Sequence, residues 1–202
     1  MRRYFYSIDH AVLKNVLARL IKDPPLSNLI HAIIDHQVPG NPPGKGLPIG
    51  NLTSQYFANL YLGELDHFIK DRLGVQYYVR YMDDLLLLAP DKSTLKGLLV
   101  SIEEFSNGQL KLNLKEKATK LAPISDGVPF LGFRLFPNLI RLQRQNLVRM
   151  RKKIRGKEKE CREGMISVEE MAQSVASLLA HVSHADTVRL RQKIFEGSMQ
   201  FG

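Results

Sequence analysis

The chain has 202 residues, enough to bury one proper core with room for a smaller appended domain. Its 44% hydrophobic content excludes a disordered chain, its single cysteine, Cys161, excludes an internal disulfide, and no uninterrupted apolar stretch reaches membrane-spanning length. A formal net charge of +9 points to an anionic partner, nucleic acid ahead of a membrane or an acidic protein. The N-terminus shows no apolar run with a cleavage site, so no secretory signal is read there.

Residues 1–9 open abruptly in aromatic, strand-like sequence. Val12, Leu13, Val16, Leu17, Leu20 and Ile21 then fall at helical spacing, and Pro24-Pro25 is expected to close that helix. A second helix is expected over 26–36, with Leu29, Ile30, Ile33 and Ile34 on its buried face. A Gly- and Pro-rich loop, 38–50, leads to Asn51, which can cap a helix over about 52–73 carrying Phe57, Leu60, Tyr61, Leu65, Phe68 and Ile69 inward. Two short strands flank Asp83-Asp84. A further helix is expected over 91–105, and short strands between Leu110 and Leu142. Beyond Leu142 basic residues crowd one helical stretch, a second helix starts at Ser167 with Glu170 as its capping-box partner, and a third runs over 186–195. A domain boundary is placed near Leu142, giving segments 1–142 and 143–202. His181 and His184 are too few for a metal site and read as structural.

Two segments carry chemistry. The adjacent carboxylates Asp83 and Asp84 sit between two apolar runs, at the tip of an expected hairpin. Carboxylate oxygens are hard ligands suited to Mg²⁺, and a tight turn can present them to a phosphate; the plainer reading is an ordinary Asp-Asp turn. The loop from Gly46 to Gln55 combines glycines with a helix N-terminus, which suits close approach of a phosphate-bearing ligand. Ser54 and Ala58 are expected to offer a small, flat helix face to a base or sugar; an ordinary turn into a capped helix is the alternative.

In this order and spacing the segments resemble the reverse transcriptases. Arg80 to Asp84, Arg-Tyr-Met-Asp-Asp, matches that family's metal-binding motif. Phe5 to His10 is similar to the tail of the strand carrying the family's other metal-binding aspartate. Gly46 to Asn59 resembles the nucleotide-pocket loop and helix, and Phe130-Leu131-Gly132-Phe133 the hairpin that grips the primer end. Group II intron enzymes carry Gln-Gly and later Ser-Pro in the pocket loop. The Ile49-Gly50 and Ser54-Gln55 found here instead resemble the enzymes of diversity-generating retroelements, which copy a template RNA with frequent errors at adenines. Ile49 offers shape where a glutamine offers a hydrogen bond, and a lost polar contact weakens discrimination between near-isosteric substrates.

The resemblance implies an α+β fold: a polymerase palm, an antiparallel sheet backed by helices, over 1–142, then a small basic helical thumb over 143–202, with the fingers missing. It implies an RNA-directed DNA polymerase that adds dNTPs to a primer 3′-end on an RNA template, assisted by two Mg²⁺ ions. Asp83 and Asp84 are the implied catalytic metal ligands. Phe5, Pro48, Ile49, Gly50, Ser54 and Gln55 are the implied nucleotide pocket, with Phe5 excluding ribonucleotides or serving only as a core aromatic. Phe130, Leu131 and Gly132 are the implied primer grip. Lys117 sits where the family often has a lysine near the leaving pyrophosphate; a solvated surface lysine is the plainer reading. Exposed phosphate contacts fall to Arg149, Arg151, Lys152, Lys153 and Arg155, and such contacts are sequence-blind.

Implied partners are a template RNA, the primer–cDNA duplex, dNTPs and a basic accessory protein, with no membrane, in a bacterial or phage-encoded cytoplasmic system. The family's first catalytic aspartate falls just upstream of Met1, so the sequence is expected to be a truncated form. Asp9 is too far along an extended strand to replace it and is expected to cap the helix at His10. The rival readings are a non-catalytic nucleic-acid-binding remnant and a maturase-like protein acting on RNA splicing, the latter disfavoured by Ser54-Gln55.

Overall fold

The computed structural model describes residues 1, 3–36, 38–115, 118–190 and 192. Lys117 lies outside them, as do the side chain of His181 and most of the expected third C-terminal helix, of which 188–190 are helical. The fold is α+β, mixing helices with two small antiparallel sheets. The chain forms two compact units, Met1–Leu121 and Ala122–Gly202.

The first unit opens with a single helical turn, α1 (Tyr4–Ser7), where the sequence reads as a strand. The reason is the adjacent aromatic pair. Strand neighbours point to opposite faces, whereas helical neighbours diverge by only about 100° and can both lean on one core. Tyr4 is buried and Phe5 packs partly against the same core, their rings edge to face at 5.8 Å. Next come α2 (His10–Leu20) and α3 (Pro24–Ile34). Asp9 caps α2, its carboxylate accepting the Val12 N–H at 3.1 Å, as expected.

Pro24-Pro25 opens α3 rather than closing α2. Asp23 caps the new helix through the Leu26 N–H at 2.8 Å, and proline suits a first helical turn because its missing N–H would go unpaired there anyway. The expected inner face of α3 is also corrected. Ile34 is fully buried and Ile30 half-buried, but Leu29 and Ile33 are exposed. Helical spacing marks an apolar stripe without saying that anything covers it.

α4 (Leu52–His67) starts at Asn51, whose side chain makes no capping bond, and passes into one π-helical turn, Phe68–Arg72. Its inward residues Phe57, Tyr61, Leu62, Leu65 and Ile69 form the centre of the core. The stacked pair Phe68–Phe105, 4.2 Å between centroids, joins this turn to α5 (Lys92–Gly108), which Asp91 caps through the Thr94 N–H. Between α4 and α5 lies the expected hairpin, β1 (Tyr77–Tyr81) and β2 (Asp84–Leu88), with Tyr78 opposite Leu87 and Arg80 opposite Leu85 on the face toward the core. The following segment has no strand before Val128 among its described residues. Leu110 and Leu112 are buried there in irregular backbone, and the Tyr61 hydroxyl donates to Leu110 O at 2.6 Å.

The second unit begins at Ala122, ahead of the boundary placed near Leu142. It holds the meander β3 (Val128–Phe130), β4 (Phe133–Phe136) and β5 (Leu139–Leu142), then α6 (Arg144–Arg162) and α7 (Val168–Val182). Reciprocal bonds tie β5 to the segment after α7: Ile140 N–H donates to the Asp186 carboxylate and Asp186 N–H to Ile140 O, both 2.8 Å. That pairing groups the meander with the helices behind it. Met150 and Ile154 of α6 pack on Leu179 and Val182 of α7. Ser167 and Glu170 make the expected capping box.

Candidate active site

The β1–β2 hairpin turns on two residues, Met82 and Asp83, with Tyr81 paired to Asp84. Met82 has φ 53°, a left-handed backbone that glycine normally supplies. Asp83 is absent from the positive-φ residues, so only the first central residue is left-handed, the sign pattern of a II′ turn. A side chain held in such backbone costs on the order of 1–3 kcal/mol and persists where its surroundings fix it. Here the unusual backbone sits at the two carboxylates.

Asp83 is part-exposed and Asp84 exposed. The terminal amine of Met1 lies 3.6 Å from Asp83 Oδ2 and 3.4 Å from Asp83 O. The other carboxylates in this unit that the argument touches are committed elsewhere. Asp66 accepts from Arg80 and from the Tyr78 hydroxyl at 2.6 Å. Burial and that bond to Asp66 raise the Tyr78 pKa far above the ordinary phenol range, so it stays a donor. Asp9 is buried, capping α2 and paired with Lys111 at 2.9 Å.

Among the described residues no group of three or more His, Cys, Asp or Glu is placed to hold a metal ion. Two adjacent carboxylates nevertheless fit Mg²⁺ as it is bound in nucleotide enzymes, by one or two carboxylates completed by substrate phosphates and water.

The first unit also brings the pocket loop beside the start of the chain. Leu47 N–H donates to Phe5 O and Gly46 N–H to Ile8 O, both at 2.8 Å. Gly46 has φ 91°, and a Cβ there would collide with the Asn41 side chain, so the close approach requires glycine. Nε2 of buried His10 lies 2.7 Å from Gly46 O. Beyond this anchor the loop opens outward: Pro48 is half-buried, while Ile49, Gly50 and Gln55 are exposed. Ser54 and Ala58, expected to form an open face, are instead buried, and the Tyr4 hydroxyl reaches across to donate to Ala58 O. The exposed side of this helix start is Leu52, Gln55 and Tyr56.

In the second unit Phe130 pairs with Phe133, and Leu131 and Gly132 form the turn between them with φ 47° and 84°. Gly132 O accepts from Gln143 N–H at 3.1 Å and from Asn146 Nδ2 at 3.0 Å, which fixes the turn to the start of α6. Arg149, Arg151, Lys152, Lys153 and Arg155 are all exposed on α6. Lys157 and Lys159 differ from them in being paired with Glu160 and Glu163.

Comparison with known proteins decides the family: the profile of the reverse transcriptases (RNA-dependent DNA polymerases) matches residues 1–135. The chain belongs to the reverse transcriptase family. The matched span contains the pocket loop, the Asp83-Asp84 turn and the Phe130–Gly132 turn. Protein YkfC of Escherichia coli (strain K12) is 25% identical over 168 residues, covering 65% of this chain and 44% of that protein. The chain thus spans less than half the length of the curated relative it matches. At the level of the family, the reverse transcriptase chemistry is nucleotidyl transfer with divalent metal ions, and nucleic acid and dNTPs are the partners that chemistry requires. No helix among the described residues is long and apolar enough to cross a membrane.

Sequence reasoning missed the side chains beneath the turn. Arg80 was legible only as part of the motif, yet strand alternation puts it on the same inward face as Tyr78. An arginine on an inward strand face needs a carboxylate partner, and half-buried Asp66 on α4 supplies it.

Proposed function

We propose that this chain carries the palm and the thumb of an RNA-directed DNA polymerase. The reaction is attack of a primer 3′-hydroxyl on the α-phosphate of a dNTP, with pyrophosphate leaving. The observation that carries the reading is the adjacent pair Asp83-Asp84, Asp83 in the two-residue turn and Asp84 opening β2, with left-handed backbone at Met82. Two Mg²⁺ ions held by these carboxylates together with the substrate would supply charge stabilisation at the attacking and leaving oxygens.

The other residues orient the substrates. Phe5 and the loop of Pro48, Ile49 and Gly50 surround the dNTP, and Ser54 and Gln55 sit at the start of the helix behind it. Ile49 is exposed rather than packed in the core, which leaves it free to contact a dNTP and supports the reading of a diversity-generating type of enzyme, error-prone at template adenines. Phe130, Leu131 and Gly132 grip the primer end. The exposed basic side of α6 holds the phosphates of the RNA–DNA hybrid, whose wide minor groove shows mainly sugars and backbone.

The test is primer extension on an RNA template with Asp83→Asn. Isosteric loss of one ligand charge is expected to abolish extension while leaving hybrid binding intact. Extension at the normal rate by that variant would overturn the assignment. Hybrid binding without extension in the unmutated protein would leave the non-catalytic nucleic-acid-binding reading.

A further inference from the structure

The left-handed turn is held from beneath by an arginine whose donors are all used. Arg80 is 13% exposed in its side chain. Its Nε donates to both oxygens of Asp66 at 2.7 and 3.0 Å, and Nη2 donates to Asp66 Oδ2 at 2.6 Å and to Asn59 O at 3.4 Å. Nη1 donates to Asn59 Oδ1 and to Met82 O, both at 3.0 Å. A guanidinium has five N–H bonds in a rigid fork, and here each has an acceptor. Asp66 is braced in turn by the Tyr78 hydroxyl.

The Met82 carbonyl is the informative acceptor. It belongs to the residue with φ 53° and to the peptide plane that leads into Asp83. Fixing that carbonyl fixes the plane, and the plane sets where the Asp83 side chain leaves the turn. Asn59 lies one helical turn after Gln55 on α4, so the same guanidinium ties the turn to the helix that opens at the pocket loop. The charge of Arg80 is already matched by Asp66. Its influence on Asp83 is therefore geometric more than coulombic.

We infer that Arg80, anchored by Asp66, is a positioning residue that aims the Asp83 carboxylate and sets the metal turn in register with the nucleotide-pocket helix. It touches neither substrate nor metal. The inference rests on the polymerase reading for its consequence in catalysis, but its geometric part stands on the clasp alone.

Arg80→Lys keeps a cation for Asp66 but lacks the fork that spans Asp66, Asn59 and Met82 at once. The double variant Arg80→Met with Asp66→Leu removes both charges and leaves no unpaired buried ion, so it guards against misfolding of a half-broken pair. Both are expected to lower kcat for primer extension by roughly 10–100-fold, with KM for dNTP changed less than about twofold. In both, the ¹⁵N–¹H resonances of Met82 and Asp83 should shift, and Mn²⁺ broadening of the Asp83 amide should need roughly tenfold more metal. Tyr78→Phe removes a brace without cutting the fork and should leave kcat within about twofold. Unchanged Asp83 resonances and unchanged Mn²⁺ broadening in both clasp variants would overturn the inference. Clasp-dependent Asp83 resonances in a protein that never extends a primer would overturn the polymerase reading and leave the positioning role standing.

Discussion

The basic side of α6 makes a quantitative prediction that separates real phosphate contacts from decorative charge. Each contact of a lysine or arginine with a duplex phosphate releases condensed counterion, so log K falls with log[salt] by about 0.9 per contact. Removing one contact at 0.1 M salt should therefore cost about 0.9 log units, roughly eightfold, or about 1.2 kcal/mol. Arg149, Arg151, Lys152, Lys153 and Arg155 are all exposed. Lys159 is exposed too, but Glu163 lies 3.6 Å from its ammonium. Arg151→Gln, Lys152→Gln and Arg155→Gln combined should lower affinity for an RNA–DNA hybrid by about 500-fold at 0.1 M salt and flatten the salt slope by nearly 3. Lys159→Gln should change the slope by much less, because its charge is already opposed. Fluorescence anisotropy with a labelled hybrid, titrated in KCl from about 50 to 300 mM, reads both quantities. If the triple variant keeps the parental slope, the helix face is a solvated surface and the thumb reading fails.

Two further outcomes follow from single sites. Ile49→Gln restores a hydrogen-bonding group at an exposed position of the pocket loop and should lower misincorporation opposite template adenine; sequencing of the cDNA checks this, and an unchanged error spectrum removes Ile49 as the cause. The Asp9 carboxyl is pushed upward by burial, but the Lys111 ammonium and the Val12 N–H outweigh this and hold it below the ordinary aspartate value. A depressed carboxyl contributes stability above its unfolded pKa and loses it as pH falls through the folded one, so this contribution is complete at neutral pH and fades below about pH 4. Lys111→Gln should therefore move the acid unfolding midpoint to higher pH, measured by circular dichroism, with the Asp9 carboxyl resonance titrating higher in step.

What the sequence made legible was local. The hairpin around Asp83 was read from two apolar runs of strand length meeting at a turn dipeptide, and the capping box at Ser167 from two residues at the right spacing. Asp9 as the cap of α2 followed from its place before a periodic run. The failures needed information from across the fold. Strand propensity at Tyr4 and Phe5 yielded to a helical turn because both rings serve the same core. Pro24-Pro25 is ambiguous punctuation, and Asp23 decided it by capping forward. The stripe on α3 showed its period but not that its outer half stays uncovered.

The same division explains the site. Composition and motif spacing located the carboxylates, while the clasp beneath their turn draws on Asp66 and Asn59 of α4, and the pocket loop and helix are tied down by other distant pairs, Gly46 on Ile8 and Tyr4 on Ala58. A left-handed methionine is unfavourable in isolation, and no local preference predicts it. It persists because the Arg80 fork closes on the carbonyl of that one residue, with half-buried Asp66 anchoring the fork. The turn and its clasp therefore form one unit of design. A methionine tolerated at φ 53° without the arginine beneath it would show that the turn holds its own shape, and Met82→Gly in the clasp-free double variant distinguishes the two. If the clasp supplies the constraint, glycine at that position relieves the strain without restoring kcat, because a freely turning backbone aims Asp83 no better than an unfastened one.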